Sequence, residues 1–143
     1  MSRTIALVSC VKSKHSGPLP AEELYCSDWF KKASTYAKKS ANEWYILSAK
    51  YYLLPPHEII ETYDLTLKGM KVAEKRIWAN TVFQQLAPKI NPEDQVIVLA
   101  GKDYRKYLLQ PIQDLGCNVE IPMEGLLQGE QLRWLKQRLE DSK

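Results

Sequence analysis

Short apolar runs alternate along the chain with longer stretches in which apolar residues recur every three or four positions. The runs predict buried strands at residues 4–9, 44–48, 95–100 and 117–121. The helical spacing predicts helices over residues 27–41, 67–87 and 102–115, and a last one with the stripe Leu132, Leu135 and Leu139. Ser27 is the predicted N-cap of the first helix.

The order of these elements predicts one α/β domain over residues 1–143. Strands that alternate with helices form a mainly parallel sheet, here of four to five strands, between two helical layers with right-handed crossovers. Residues 10–20 contain one glycine and two prolines, which predicts no regular structure there. Pro111 predicts a kink or a restart within the third helix.

Composition excludes several classes of protein. No apolar run approaches the roughly 20 residues that span a bilayer, and the apolar N-terminal stretch is too short for a signal peptide, which predicts a cytoplasmic protein without a membrane partner. The three cysteines form no C-x-x-C pair, so neither a disulfide framework nor a metal site is predicted. No cofactor is predicted either, because dinucleotide, P-loop and H-E-x-x-H motifs are absent.

Lysines and arginines occur in clusters although the net charge is only +3. These clusters form either a solvated surface or a binding surface for an anionic partner, and DNA or a nucleotide is the first candidate. Ligands of open α/β sheets bind beyond the carboxyl ends of the strands. Polar segments follow the predicted strands at residues 10–15, 48–52 and 101–104, which predicts the site at that edge.

Three residues are candidates for catalysis. Asp64, in an otherwise apolar stretch, is expected to be partly buried and to act as an acid–base group, or else to cap the following helix. Cys10 is either a nucleophile beside lysines or a small buried side chain. Lys12 follows the first strand and is a candidate for holding a phosphate or carboxylate.

The remaining candidates would bind substrate. Tyrosine rings at the site would stack on a base, with core packing as the alternative, and Ser48 would contact a ligand or satisfy the backbone of its own loop. The predicted substrate-binding residues are Lys14, Ser48, Lys50, Tyr51, Tyr63, Gly101 and Lys102.

Several of these residues lie in segments that resemble the YaaA-like proteins. LSAKYYLLP at residues 47–55, followed by TYDL at 62–65, is similar to the family's L-S-x-x-Y-G-L-x-x-P and P-Y-x-L pattern. Ser9 to Lys12 resembles the S-x-x-K element of the superfamily, also found in the central domain of archaeosine synthase, and Leu24-Tyr25 resembles another of its motifs. Tyr52 departs from the pattern, which has glycine there, and the chain is shorter than YaaA itself.

The resemblance implies a nucleic-acid or nucleobase context, since YaaA-like proteins are associated with DNA binding and oxidative-damage protection, and their relatives with modified-base metabolism. Together with the candidate residues, it leads to the hypothesis of an enzyme like a DNA glycosylase, which acts on a damaged or modified base or its N-glycosidic bond in DNA. The alternatives are a non-catalytic DNA-binding protection protein and a nucleotide hydrolase or transferase.

Overall fold

Buried strands form the centre of the molecule, which a computed structural model describes from residue 2 to residue 141. The strands are β1 (Thr4–Ser9), β2 (Leu19–Pro20), β3 (Glu43–Ser48), β4 (Tyr52–Leu54), β5 (Ile59–Ile60), β6 (Gln95–Leu99) and β7 (Asn118–Glu120). The α-helices are α1 (Ala21–Leu24), α2 (Asp28–Ser40), α3 (Val72–Leu86), α4 (Lys102–Arg105), α5 (Leu109–Asp114) and α6 (Gln128–Asp141).

Within residues 2–141, five strands share one sheet in the order β4-β3-β1-β6-β7. β1, β3, β6 and β7 are parallel, whereas β4 is an antiparallel edge strand on β3. Alternate residues of β1 point to opposite faces, so that Ile5 and Leu7 pack under α3 and α5 while Ala6 and Val8 pack under α2 and α6. The predicted α/β domain with a mainly parallel sheet is therefore confirmed.

The predicted helices exist, but two have different limits. The second one begins at Val72 instead of residue 67, because a 3-10 turn at Leu67–Gly69 leads into extended backbone at Met70 and Lys71. The third is divided into α4 and α5, and the break falls at residues 106–108 instead of at Pro111. Pro111 lies in the first turn of α5, where its missing N–H has no helical partner to lose.

Two strand pairings were not expected from the sequence. β2 pairs with β5 in a separate two-stranded sheet. The prediction that residues 10–20 contain no regular structure is therefore wrong. Both strands of a two-stranded sheet are edge strands, in which not every N–H has a hydrogen-bond partner. Pro20, which has no N–H, is therefore tolerated in β2. β4 has only three residues, too short for a clear pattern of alternation.

None of the helices in residues 2–141 combines the length and the apolar character that crossing a membrane requires.

Candidate functional site

Three parallel strands lead into polar segments at one edge of the sheet. The registers place Ser9 beside Leu47 and Val8 beside Leu99, so the segments that follow β1, β3 and β6 emerge side by side. A cavity of about 380 Å³ opens at this edge. Its lining consists of Cys10, Val11, Lys12, Lys14, Asp64, Leu65, Thr66, Lys68 and Tyr104.

Two further cavities continue along the same edge. One, of about 300 Å³, shares Cys10 and Tyr104 with the first and reaches Gly101 and Lys102. The next, of about 290 Å³, extends from Gly101 and Lys102 to Arg105. We call these three cavities together the edge cleft.

Basic side chains outnumber acidic ones along the edge cleft. The basic ones are Lys12, Lys14, Lys68, Lys102 and Arg105, and none of them makes an ion pair within residues 2–141. Of the acidic ones, Asp103 already pairs with Lys75 at 2.8 Å, and Asp64 is the other. The cleft therefore has a net positive charge, which suits an anionic ligand such as a phosphate.

Lys14 occupies a partly dehydrated position in the cleft. A β-bridge to Tyr25 holds its backbone, and its Nζ donates to the carbonyl oxygen of Lys12 at 3.1 Å. The same Nζ lies 4.4 Å from the centre of the Tyr63 ring, a cation–π contact. Burial lowers the pKa of Lys14 below that of a free lysine, although the nearby Asp64 carboxylate opposes this effect.

A chain of buried hydroxyls supports the floor of the cleft. Ser48 is fully buried, and its Oγ lies 2.9 Å from the Tyr63 hydroxyl, which lies 2.6 Å from that of Tyr25. The same Oγ accepts the Tyr51 N–H at 2.9 Å. Burial raises the pKa of Tyr25 to about 12 and that of Tyr63 above its ordinary value, so both phenols stay protonated at neutral pH. Ser48 therefore satisfies its own loop and joins it to the segment that bears Asp64.

Tyr104 closes the cleft from the side of α4. The Cys10 thiol donates to its hydroxyl oxygen at 3.3 Å, and the Trp78 ring meets its ring edge-on at a centroid distance of 5.5 Å. Burial raises the pKa of Tyr104, so its hydroxyl also remains protonated and able to donate. Cys10 is buried, as the alternative of a small buried side chain predicts, and its role as a nucleophile stays a prediction.

The structure brings most of the predicted site residues together and leaves others apart. Those in the edge cleft are Cys10, Lys12, Lys14, Asp64, Gly101 and Lys102. The predicted residues that are not among its lining residues are Ser48, Lys50, Tyr51 and Tyr63. The Tyr51 ring packs edge-on against the Tyr63 ring at a centroid distance of 5.6 Å, and the Lys50 Nζ lies over the Tyr51 ring. Asp64 is exposed and not partly buried as predicted, so its candidacy rests on its position in the cleft.

Sequence reasoning missed several lining residues. Thr66 caps the 3-10 turn and Lys68 lies within it, where the sequence predicts the beginning of the second helix, and Arg105 lies in α4. Tyr104 belongs to the polar segment at residues 101–104, but the local pattern does not distinguish it from its neighbours. The signal that could have identified Lys68 as a lining residue is its closeness to Asp64 in the sequence. No group of three His, Cys, Asp or Glu side chains among residues 2–141 is arranged to hold a metal ion.

Comparison with known proteins assigns the sequence to a family. The model of a family of unknown function, DUF6884, matches residues 5–137. The chain is similar to the uncharacterized protein YfjM of Bacillus subtilis (strain 168), with 31% identity over 114 residues that cover 74% of this chain and 75% of YfjM. No solved structure matches the chain significantly. Because the family model spans nearly the whole of the sequence, this protein belongs to the DUF6884 family.

Proposed function

We propose that the edge cleft binds the sugar, phosphate and base of a DNA unit or a nucleotide, and that the protein hydrolyses the N-glycosidic bond of a damaged or modified base. The observation that carries this proposal is the cavity that combines one carboxylate, Asp64, with three lysines and a protonated phenol, Tyr104. Hydrolysis of an N-glycosidic bond needs an anion near the cationic sugar and a donor to the departing base.

Each group has a distinct part in this reaction. The Asp64 carboxylate stabilises the positive sugar and takes a proton from the water that adds to C1′. The bonding electron pair leaves with the base, which receives a proton from the Tyr104 hydroxyl, and the proton held by Asp64 then restores that phenol. Lys12 and Lys14 bind the phosphate, and Cys10 positions Tyr104 through its thiol. The base lies against the aromatic and apolar walls of the cleft.

The backbone at Tyr52 supports the resemblance to the YaaA-like proteins. Its φ is +62°, in the left-handed region that favours glycine, and glycine is the residue of the YaaA-like pattern at this position. The glycine of the pattern is therefore the residue that the backbone of this chain favours at position 52. The association of YaaA-like proteins with DNA, and of their relatives with modified bases, supports a nucleobase substrate for this cleft if the resemblance reflects a common function.

The test is an incubation of the protein with a panel of modified-base duplexes, followed by mass spectrometry of released bases. Asp64→Asn should lower the rate of base release at least about 100-fold, the usual range for loss of an acid–base group, and should keep the circular dichroism spectrum of the wild type. Glu61→Gln is the matched control, since Glu61 is an exposed carboxylate on the same segment outside the cleft lining, and should be fully active.

Two results would contradict the proposal. Unchanged activity of Asp64→Asn would remove this carboxylate from the mechanism. If the wild type released no base from any duplex in the panel but still bound DNA, the protein would be a non-catalytic DNA-binding protein instead.

A further inference from the structure

A second group of cations lies beside the edge cleft on the surface formed by α3 and α4. Lys102, Arg105 and Lys106 line a depression of about 340 Å³ on this surface. The Arg76 guanidinium lies 4.5 Å from the centre of the Tyr107 ring, and the Lys106 Nζ lies 5.4 Å from the same ring centre. We call Arg76, Lys102, Arg105 and Lys106 the basic ridge.

The basic ridge is continuous with the edge cleft. Lys102 and Arg105 line both the cleft and the depression of the ridge, so there is no uncharged gap between the two surfaces. The ion pair of Lys75 with Asp103 joins α3 to α4 and occupies the acidic side chain of α4. The four ridge cations themselves make no ion pair within the described residues.

We propose that the basic ridge binds the phosphate backbone of a nucleic-acid chain while one nucleotide of that chain occupies the edge cleft, so that the substrate is a polynucleotide and not a free nucleotide. This inference rests on the proposed function, since it assigns the cleft to a nucleotide unit. A mononucleotide has a single phosphate, for which the cleft lysines Lys12, Lys14 and Lys68 are sufficient. Two of the ridge cations, Arg76 and Lys106, lie outside the lining of the whole edge cleft, where further phosphates of the same strand would meet them.

Charge alone does not distinguish a nucleic acid from an acidic protein, but the position of the ridge does. Its cations begin at the mouth of a cleft that has aromatic and phenolic walls from Trp29 and Tyr104. Aromatic walls accept the flat face of a base, and a phosphodiester backbone that enters this cleft continues along the ridge. An acidic peptide has no flat base to fill the cleft.

The experiment measures the binding of a fluorescein-labelled single-stranded oligonucleotide by anisotropy between about 50 and 200 mM salt. Arg76→Glu/Lys106→Glu changes two ridge cations without changing the cleft lining. It should weaken binding at least about 10-fold at low salt and reduce the slope of log K against log salt by about 1.4, since each phosphate contact contributes about 0.7 for single strands. Lys31→Glu/Lys136→Glu is the matched control, on exposed positions of α2 and α6 across the sheet.

The binding of a mononucleotide, measured by calorimetry, separates the two proposals. The ridge variant should bind the mononucleotide as the wild type does. If the wild type binds the mononucleotide as tightly as the oligonucleotide, or if the control lowers the slope as much as the ridge variant, the ridge proposal is overturned and the cleft assignment stands. If the wild type binds neither ligand, the proposed function itself fails. Equal binding of poly-glutamate at matched charge would also overturn the nucleic-acid assignment.

Discussion

Removal of the Ser48 hydroxyl tests whether the hydrogen-bonded hydroxyls of Ser48, Tyr63 and Tyr25 stabilise the fold beneath the edge cleft. The Ser48 Oγ is fully buried, accepts the Tyr51 N–H at 2.9 Å and the Lys50 N–H at 3.3 Å, and lies 2.9 Å from the Tyr63 hydroxyl. In Ser48→Ala, the N–H groups of Tyr51 and Lys50 lose their acceptor, whereas Tyr63 keeps its contact with Tyr25 at 2.6 Å. A buried group without a partner costs about 1–3 kcal/mol. The loss of the acceptor for these two N–H groups, of which that of Lys50 is only weakly bound at 3.3 Å, and the weakened Tyr63 hydroxyl therefore lower the free energy of unfolding by about 2–3 kcal/mol.

Ser34→Ala is the matched control. Ser34 is also buried, but its hydroxyl donates only to the Lys31 carbonyl oxygen within α2, and alanine is a better helix former than serine. The free energy of unfolding of this variant should stay within about 0.5 kcal/mol of the wild type.

Urea unfolding followed by tryptophan fluorescence measures both variants. Ser48→Ala should shift the midpoint and leave the m-value unchanged, because the surface exposed on unfolding is the same. Tyr63→Phe removes the other partner of the hydrogen bond between Ser48 and Tyr63. The double variant Ser48→Ala/Tyr63→Phe should therefore be about 1 kcal/mol less destabilised than the sum of the two single variants. Destabilisation by Ser48→Ala no larger than that by Ser34→Ala would refute the supporting role of the network.

Two further predictions concern pH and the backbone. Burial raises the pKa of Tyr25 to about 12 in the folded state from an ordinary value of about 10. The contribution of the protonated phenol to the free energy of unfolding is therefore complete below pH 10 and is lost as pH rises from about 10 to about 12, with a loss of about 1 kcal/mol at pH 11. Urea unfolding at about pH 9 and about pH 11 measures this loss, and equal stability at both would contradict it. Tyr52→Gly should be as stable as the wild type, whereas Tyr52→Val should lose about 1–2 kcal/mol because a β-branched residue resists a positive φ. Equal unfolding midpoints of these two variants would contradict the argument.

The main elements of the fold are predictable because burial leaves a pattern in the sequence. β1, predicted at residues 4–9, forms at Thr4–Ser9, and Ser27 caps α2 through its contact with the Phe30 N–H at 3.0 Å. Local sequence patterns did not predict strands that are very short or that pair with a segment distant in the chain. β4, with three residues, and β2, which pairs across some forty residues with β5, exist because tertiary contacts supply partners for their backbone groups.

The edge that holds the candidate site also follows from the sequence. A parallel sheet brings the carboxyl ends of its strands to one side, so the polar residues after β1 and β6 had to meet there. The side chains that share the cleft do not follow from that rule. Thr66 and Lys68 enter it from a 3-10 turn whose position depends on how α3 packs against the sheet.

The sequence by itself determined the order of the main strands and helices, the sheet edge of the candidate site and the positive charge of the segments that reach it, because apolar periodicity and residue identity are local properties. Only the tertiary structure decided that Ser48 is enclosed among hydroxyls, that Lys50 and Tyr51 lie outside the cleft lining and that Tyr104 and Asp64 line one cavity. The physical reason is the reversal of the chain after β3, with a positive φ at Tyr52. The pairing of β4 with β3 imposes this conformation on a residue that does not favour it.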